Sequence, residues 1–337
     1  MTSVLRAAIV GLGQVGSRFD EEPRPCVWSH AGAYLALPSD YALVAGADPT
    51  ADQRERFQKR CPAARVFADP SAMAREMRPD VVSVCTPPGD RADVVSRLLE
   101  AHAAKVIVCE KPLALTDGDR ERIVRSCEEA GARLIVNYTR RYETTYRLAR
   151  RTVSAGTIGK VVSVTVRAPN RLWSIGSHAV NLIAYLAGEC PASWSVQPLP
   201  ALYETGEPAA NALFRFPSGA TGALLTMGTR DILVFEAEVV GDRGRVIVSG
   251  NGETVALERF ETSNAFIGYR VPTAPIEIAR RSSAESPFVG LAREAAALSM
   301  GRAETGNASN SSSGGDARTT ESIVESIVSL CRSEATT

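Results

Sequence analysis

One short apolar run that breaks into spaced glycines constrains this chain more than any other stretch: Val4-Leu5-Arg6-Ala7-Ala8-Ile9-Val10 leads directly into Gly11-Leu12-Gly13-Gln14-Val15-Gly16. Glycines in this G-x-G-x-x-G spacing allow a tight turn, let the backbone approach a pyrophosphate, and let the next helix pack closely on the strand. The N–H groups and partial positive charge of that helix start then suit phosphate. With 26 glycines in the chain such a spacing can arise by chance, so its context decides. A strand precedes it, helix-compatible residues follow, and an acid ends the next strand. That acid is Asp48, closing the apolar stretch from Tyr41 to Ala47. Its carboxylate would accept hydrogen bonds from the adenosine ribose hydroxyls and repel a 2′-phosphate, favouring NAD while leaving NADP open. The alternative is a turn residue ahead of Pro49. The spacing from the glycines is longer than the usual twenty or so residues. The excess lies in a polar, proline-broken insertion at residues 20–28, before Ser29 opens a helix over residues 30–37.

From there strand and helix patterns alternate. Helices are expected over residues 52–60, 71–77, 91–102 and 117–130, and strands over 65–67, 80–85, 106–109 and 133–137. Continuous apolar strands separated by helices imply a parallel sheet covered on both faces. The expectation is a doubly wound Rossmann domain over residues 1–137. The pattern then changes. Strand-like runs at 160–167, 211–216, 221–226, 235–240 and 245–248, joined by turns at Pro217-Ser218-Gly219 and Gly241-Asp242-Arg243-Gly244, point to a large, mostly antiparallel open sheet. One helix (177–187) interrupts these strands and two (287–300 and 319–331) follow them, with a low-complexity loop at 307–315 between the last two. The fold class is therefore α/β: a Rossmann domain, an α/β substrate and oligomerisation domain over 138–318, and a terminal helix over 319–337 packing back on the first domain.

With 337 residues the chain can build two cores, and a formal net charge of zero gives no reason to expect a nucleic-acid or membrane partner. No apolar run reaches membrane-helix length and no signal peptide opens the chain, so the expected location is the cytoplasm. The seven cysteines are scattered without C-x-x-C pairs, as expected of buried thiols and not of a metal site.

Two constellations carry chemistry. Val106-Ile107-Val108-Cys109 ends abruptly in Glu110-Lys111-Pro112, in a chain where all but four of 38 Lys and Arg residues are arginine. Unlike arginine, a desolvated lysine can give up its proton. A surface Glu-Lys pair is the bland reading. In a parallel sheet, however, ligands bind beyond the carboxyl ends of the strands, where the glycine turn, Asp48, Thr86-Pro87-Pro88 and Glu110-Lys111 converge. The second is Leu172-Trp173-Ser174-Ile175-Gly176-Ser177-His178-Ala179-Val180-Asn181, holding one of only three histidines, with Asn181 one helical turn beyond it. Histidine moves protons near neutral pH, though one at a helix start often only packs or caps. His102 reads as structural, and His30 stays undecided.

The glycine turn, Glu110-Lys111-Pro112, the Asn137-Tyr138-Thr139-Arg140-Arg141-Tyr142 segment, the Gly156-Thr157-Ile158-Gly159-Lys160 turn and the Gly-x-His helix, taken together and in order, resemble the Gfo/Idh/MocA oxidoreductases. The resemblance implies NAD(P)-dependent hydride transfer at a carbinol or keto carbon of a sugar, sugar nucleotide or cyclitol. It implies a homodimer or homotetramer through the open sheet and a cis peptide before Pro112. Lys111 and His178 would be the catalytic pair. Gly11, Gly13, Gln14, Val15, Gly16, Asp48, Thr86, Pro87, Glu110 and Lys111 would hold the cofactor. Arg140, Arg171, Trp173 and Asn181 would join Lys111 and His178 at the substrate. Where the family pattern often has acids, Ser174 and Asn181 stand, which leaves three outcomes: proton transfer shifts toward Lys111, the reaction runs as ketone reduction, or catalysis is lost. A non-catalytic dinucleotide sensor and a reductase of a non-sugar substrate (a dihydrodiol or an imine) are the alternatives.

Overall fold

The computed structural model describes residues 4–102, 104–169, 171–199, 208–227, 232–302 and 311–334. It divides into two compact units. The first takes the described residues up to 142 with those of 283–302 and 311–318, and the second takes those of 143–282 and 319–334.

In the first unit β1 (Leu5–Val10), β2 (Tyr41–Ala47), β3 (Arg65–Phe67), β4 (Val81–Val84), β5 (Val106–Cys109) and β6 (Arg133–Val136) form a parallel sheet among the described residues, in the order β3-β2-β1-β4-β5-β6. This is the dinucleotide-binding order. The apolar runs are continuous because both faces are covered. Val82, Val84, Ile107 and Cys109 enter one core, while Val81, Val106 and Val108 enter the other. The intervening helices are α1 (His30–Leu35), α2 (Ala51–Arg60), α3 (Pro70–Met77), α4 (Arg91–Ala101) and α5 (Asp117–Glu129). Their starts follow local capping chemistry. Ser29, Asp69 and Thr116 each accept a backbone N–H three residues on, and Pro70 occupies the first turn of α3.

The insertion at residues 20–28 is spliced into a helix. Ser17 N donates to Gly13 O, giving one helical turn after the glycines; then His30 N donates to Val15 O (3.0 Å) and Ala31 N to Gly16 O (2.9 Å). His30 thus takes the place residue 19 would hold in an uninterrupted helix, which accounts for the long glycine-to-Asp48 spacing. Asp20 closes the inserted loop by accepting from Trp28 N (2.7 Å) and from Ser29 Oγ (2.5 Å).

In the second unit, α6 (Thr144–Ser154), β7 (Val161–Ala168) and α7 (Ser177–Ala187) precede β8 (Ser193–Leu199), β9 (Ala209–Arg215), β10 (Thr221–Thr226), β11 (Glu236–Gly241), β12 (Gly244–Ser249), β13 (Thr254–Thr262), β14 (Arg270–Pro272) and β15 (Ile276–Arg280). The sheet order is β14-β13-β12-β11-β7-β10-β9-β8, with β15 on β13. Only the β7–β10 pairing is parallel among those described. Both expected hairpin turns occur, joining β9 to β10 and β11 to β12. The sequence reading omitted α6, β8, β13, β14 and β15. Edge strand β8 carries Pro198, tolerated there because an edge needs fewer ladder donors.

Two helices fall differently from expectation. Helix α8 (Pro287–Ser299) belongs to the first unit, where Phe288, Leu291, Ala292 and Ala295 enter the core of α1 and β1. Helix α9 (Gly314–Glu334) starts earlier than expected, and its residues from 319 belong to the second unit. Ile323, Val324, Ile327, Val328 and Cys331 form an apolar stripe that completes the core of the second unit. Of the loop at 307–315, residues 307–310 lie outside the described residues. The rest is packed: Ser312 O accepts Val136 N (2.8 Å) and extends the ladder of edge strand β6.

Candidate active site

At the carboxyl ends of β1, β2, β4 and β5 the first unit holds a crevice of about 870 Å³. Gly11, Gly13, Val15, Asp48, Thr86, Pro87, Glu110 and Lys111 all line it. Gly16 is buried beneath the turn and Gln14 is exposed beside it, so these two shape the turn without lining the crevice. The three glycines have separate jobs. Gly11 has φ +87°, and a Cβ there would lie 2.8 Å from Cys85 C and 2.9 Å from Thr86 N. A Cβ on Gly16 would collide with the Gly11 carbonyl oxygen. At Gly13 nothing lies within 4 Å of the Cβ position, so an open cradle faces the backbone where a pyrophosphate approaches in this motif.

Asp48 is held by two backbone donors, Leu12 N to Oδ2 and Thr50 N to Oδ1, both 2.9 Å. Each carboxylate oxygen keeps further acceptor capacity. The neighbouring arginine, Arg54, donates Nη1 to the carbonyls of Asp48 and Pro49 (2.8 Å each), so it is engaged with backbone. Gln53 Oε1 and Thr86 Oγ1, on residues lining the crevice, are buried without a hydrogen-bond partner. Buried polar atoms need partners. Together with the open cradle at Gly13, they fit a dinucleotide lying along these strand ends.

Glu110 is held by two side chains of the first unit. His30 Nε2 lies 2.9 Å and Asn137 Nδ2 2.6 Å from its Oε1. Burial raises its pKa, but the hydrogen bonds from His30 and Asn137 and the positive Arg91 outweigh that and hold the carboxyl below its ordinary range. The sequence reading left His30 undecided and missed Arg91, which is 2% exposed. From α4 the Arg91 guanidinium donates to the carbonyls of Thr86, Glu110, Pro112 and Leu113. One planar cation thereby clamps both loops that carry Thr86 and Lys111. The signal was present as an arginine at the first position of α4, just after Thr86-Pro87-Pro88, but helix-start arginines are common. The Lys111–Pro112 peptide is cis. Cys85 also lines the crevice; burial and the Glu110 charge raise its thiol pKa well above normal, against Arg91, so it is a poor nucleophile.

Arg140 sits half-buried in the turn Thr139–Tyr142 of the first unit. The other candidates lie in the second unit. Arg171 has φ +95° and opens a π-helical turn, Leu172–Gly176, in which both Ile175 N and Gly176 N donate to its carbonyl (2.9 Å each). Backbone strain and π turns cluster at functional sites. The turn carries Trp173, partly buried against the core, and Ser174, and it leads into α7 with half-buried His178 in its first turn. Asn181 is buried, and its Nδ2 donates to Thr320 Oγ1 (3.0 Å), a tie between α7 and α9.

Residues 5–138 match the model of the oxidoreductase family with NAD-binding Rossmann fold, GFO_IDH_MocA. The D-glucoside 3-dehydrogenase of Escherichia coli is 31% identical over 170 residues, covering 50% of this chain and 45% of that protein. The myo-inositol 2-dehydrogenase of Thermotoga maritima is 24% identical over 274 residues, 75% of this chain and 78% of that protein. The matched part therefore spans about half of the first relative and about three quarters of the second. Among solved structures, the WlbA dehydrogenase of Bordetella pertussis, in complex with NADH and UDP-GlcNAcA, superposes with a TM-score of 0.71 at 20% identity, covering 98% of this chain and 97% of that one.

Proposed function

We propose that this chain, whose residues 5–138 match the NAD-binding Rossmann model of the Gfo/Idh/MocA oxidoreductases, belongs to that family and is an NAD-dependent oxidoreductase acting on a carbinol or keto carbon of a sugar, sugar nucleotide or cyclitol. The observation that carries the reading is the gathering of the glycine turn, Asp48, Thr86 and Glu110-Lys111 along one crevice. The relatives named for glucoside and inositol oxidation support the substrate class.

NAD, when bound, supplies the hydride acceptor, and NADH the donor. The backbone at Gly13 and the first turn after it receive the pyrophosphate, and Asp48 takes the ribose hydroxyls. Lys111, presented at the end of β5 and fixed through the Arg91 clamp on its neighbours, polarises the reacting oxygen and exchanges its proton. His178 is the second acid/base group. With Ser174 in the place of an acid it lacks a carboxylate from that position, so the proton step rests mainly on Lys111. Arg140, Arg171 and Trp173 are the substrate contacts.

The second unit's sheet also supports self-association. Leu213 is 59% exposed, beside a shallow groove that crosses β7, β10, β9 and β8 between Ser163, Ser195 and Ala223. An exposed leucine on an uncovered sheet face suits an interface, here a homodimer or homotetramer with a sheet face buried, checked by light scattering of wild type against Leu213→Arg. Among the described residues no helix is long and apolar enough to cross a membrane.

The test is an assay of NAD reduction with a panel of cyclitols and glycosides, and of NADH oxidation with the corresponding ketones. Turnover with at least one polyhydroxylated compound is expected. Nucleotide binding with no turnover across the panel would replace the enzyme reading with a dinucleotide sensor.

A further inference from the structure

His30 belongs to no step assigned above, yet it is 3% exposed at the base of the cofactor crevice. It anchors a continuous hydrogen-bonded chain. Tyr34 Oη lies 2.7 Å from Ser83 Oγ, Ser83 Oγ lies 2.9 Å from His30 Nδ1, and His30 Nε2 lies 2.9 Å from Glu110 Oε1. The proton placements follow from the partners. An ionised Glu110 only accepts, so His30 Nε2 carries the proton toward it. Burial raises the Tyr34 pKa, although Ser83 opposes this, so Tyr34 stays protonated and donates to Ser83 Oγ. The Ser83 proton then goes to His30 Nδ1. The Ser83 hydroxyl thus accepts once and donates once, and the imidazole tautomer is set from a rigid tyrosine. Phe288 of α8 packs edge-on against the ring at 5.3 Å, which fixes its plane.

The chain ends on one oxygen of Glu110. Both His30 Nε2 and Asn137 Nδ2 go to Oε1; among the described residues Oε2 has no donor, and Glu110 lines the crevice. We infer that Tyr34, Ser83 and His30 are positioning residues that hold the Glu110 carboxylate as a fixed negative charge in the crevice, so that the protein prefers the cationic nicotinamide of NAD+ to the neutral one of NADH. This rests on the NAD reading above. The nicotinamide ring is positive only in the oxidised form, and a carboxylate held away from bulk water acts on it through a low effective dielectric. For the bound couple, in which a ketone takes hydride from NADH and a proton to give the alcohol and NAD+, the equilibrium is drawn toward alcohol and NAD+. The splice that places His30 after the 20–28 insertion is what brings the imidazole to this position.

The experiment measures dissociation constants for NAD+ and NADH separately on the full chain, by calorimetry and NADH fluorescence, in wild type, Glu110→Gln, His30→Asn, His30→Gln and Ser83→Ala. Glu110→Gln keeps the shape and removes the charge, so the NAD+ preference falls about tenfold, equivalent to about 30 mV in the bound two-electron couple. Asparagine at position 30 reproduces the Nδ1 side and cannot reach Glu110, so the preference falls several-fold. Glutamine can place an amide N–H near the Nε2 position and restores most of it. Thermal unfolding run in parallel separates stability from affinity: a merely structural histidine would lower the Tm in both variants and leave the ratio of constants unchanged. Wild type binding both nucleotides with a ratio that Glu110→Gln and His30→Asn do not move overturns this inference alone. Wild type binding neither overturns it together with the NAD reading.

Discussion

Alanine at Gly11, Gly13 and Gly16 should separate folding from cofactor binding. At Gly11 an L-residue must adopt φ +87° with its Cβ 2.8–2.9 Å from the Cys85–Thr86 backbone. The left-handed conformation alone costs about 1–2 kcal/mol, and relieving the contact moves a loop that Arg91 clamps, so the loss should exceed about 2 kcal/mol. Gly16→Ala drives a methyl into the Gly11 carbonyl and should be at least as severe. Gly13 has no positive φ and open space at its Cβ. Replacing it should leave stability unchanged or raise it by about 0.4–1 kcal/mol through the unfolded chain. That same methyl fills the cradle for the pyrophosphate. Losing one charge-assisted hydrogen bond, about 1.5–3 kcal/mol, weakens NADH about ten- to a hundredfold. Urea unfolding and NADH titration on the three variants provide the readout. A Gly13→Ala protein that unfolds early but binds NADH like wild type would refute the reasoning, because the open space would then not be the phosphate site.

Other outcomes follow from the same geometry. Arg91→Met strips donors from the carbonyls of Thr86, Glu110, Pro112 and Leu113, and Arg91→Lys cannot rebuild the planar fork; the unfolding free energy from urea titration should fall by about 3–5 kcal/mol in the first and recover only in part in the second. Asp48→Ser removes the charge that repels a 2′-phosphate, so the NAD-to-NADP affinity ratio should drop about tenfold or more; a wild type that already binds NADP more tightly would contradict the assignment. Because the Glu110 carboxyl is held below its ordinary range, its contribution to stability is present above the unfolded value of about 4.3 and is lost as pH falls through the lower folded value. Unfolding monitored from pH 7 to 3 should show that acid-side slope in wild type and a shallower one in Glu110→Gln.

The parallel, doubly wound character of the first sheet was readable because β4 and β5 are apolar on both faces and alternate with helices, a pattern few other arrangements satisfy. Asp48 was readable for the same reason, despite an insertion that lengthened its spacing. What stayed hidden depends on contacts distant in sequence. Nothing local to His30 marks it as a partner of Glu110, 80 residues on, and nothing local to Arg91 foretells carbonyls around Pro112. The apolar stripe of α9 announces a packed helix and does not say which unit receives it. In α6, Thr144, Thr145 and three arginines masked a helix whose inner face is Tyr146, Ala149 and Val153. The same holds for Asn181: its hydrogen bond to Thr320, far along the chain, left no local mark.

The central claim is that Lys111 carries the proton step of an NAD-dependent reaction, and the most direct measurement compares wild type, Lys111→Ala and Lys111→Arg on the best substrate of the panel, with NADH dissociation constants measured beside kcat. Both variants should bind NADH within about threefold of wild type and lose about a thousandfold or more in kcat, arginine failing because it keeps its proton. A Lys111→Ala enzyme that retains kcat within tenfold of wild type would contradict the account.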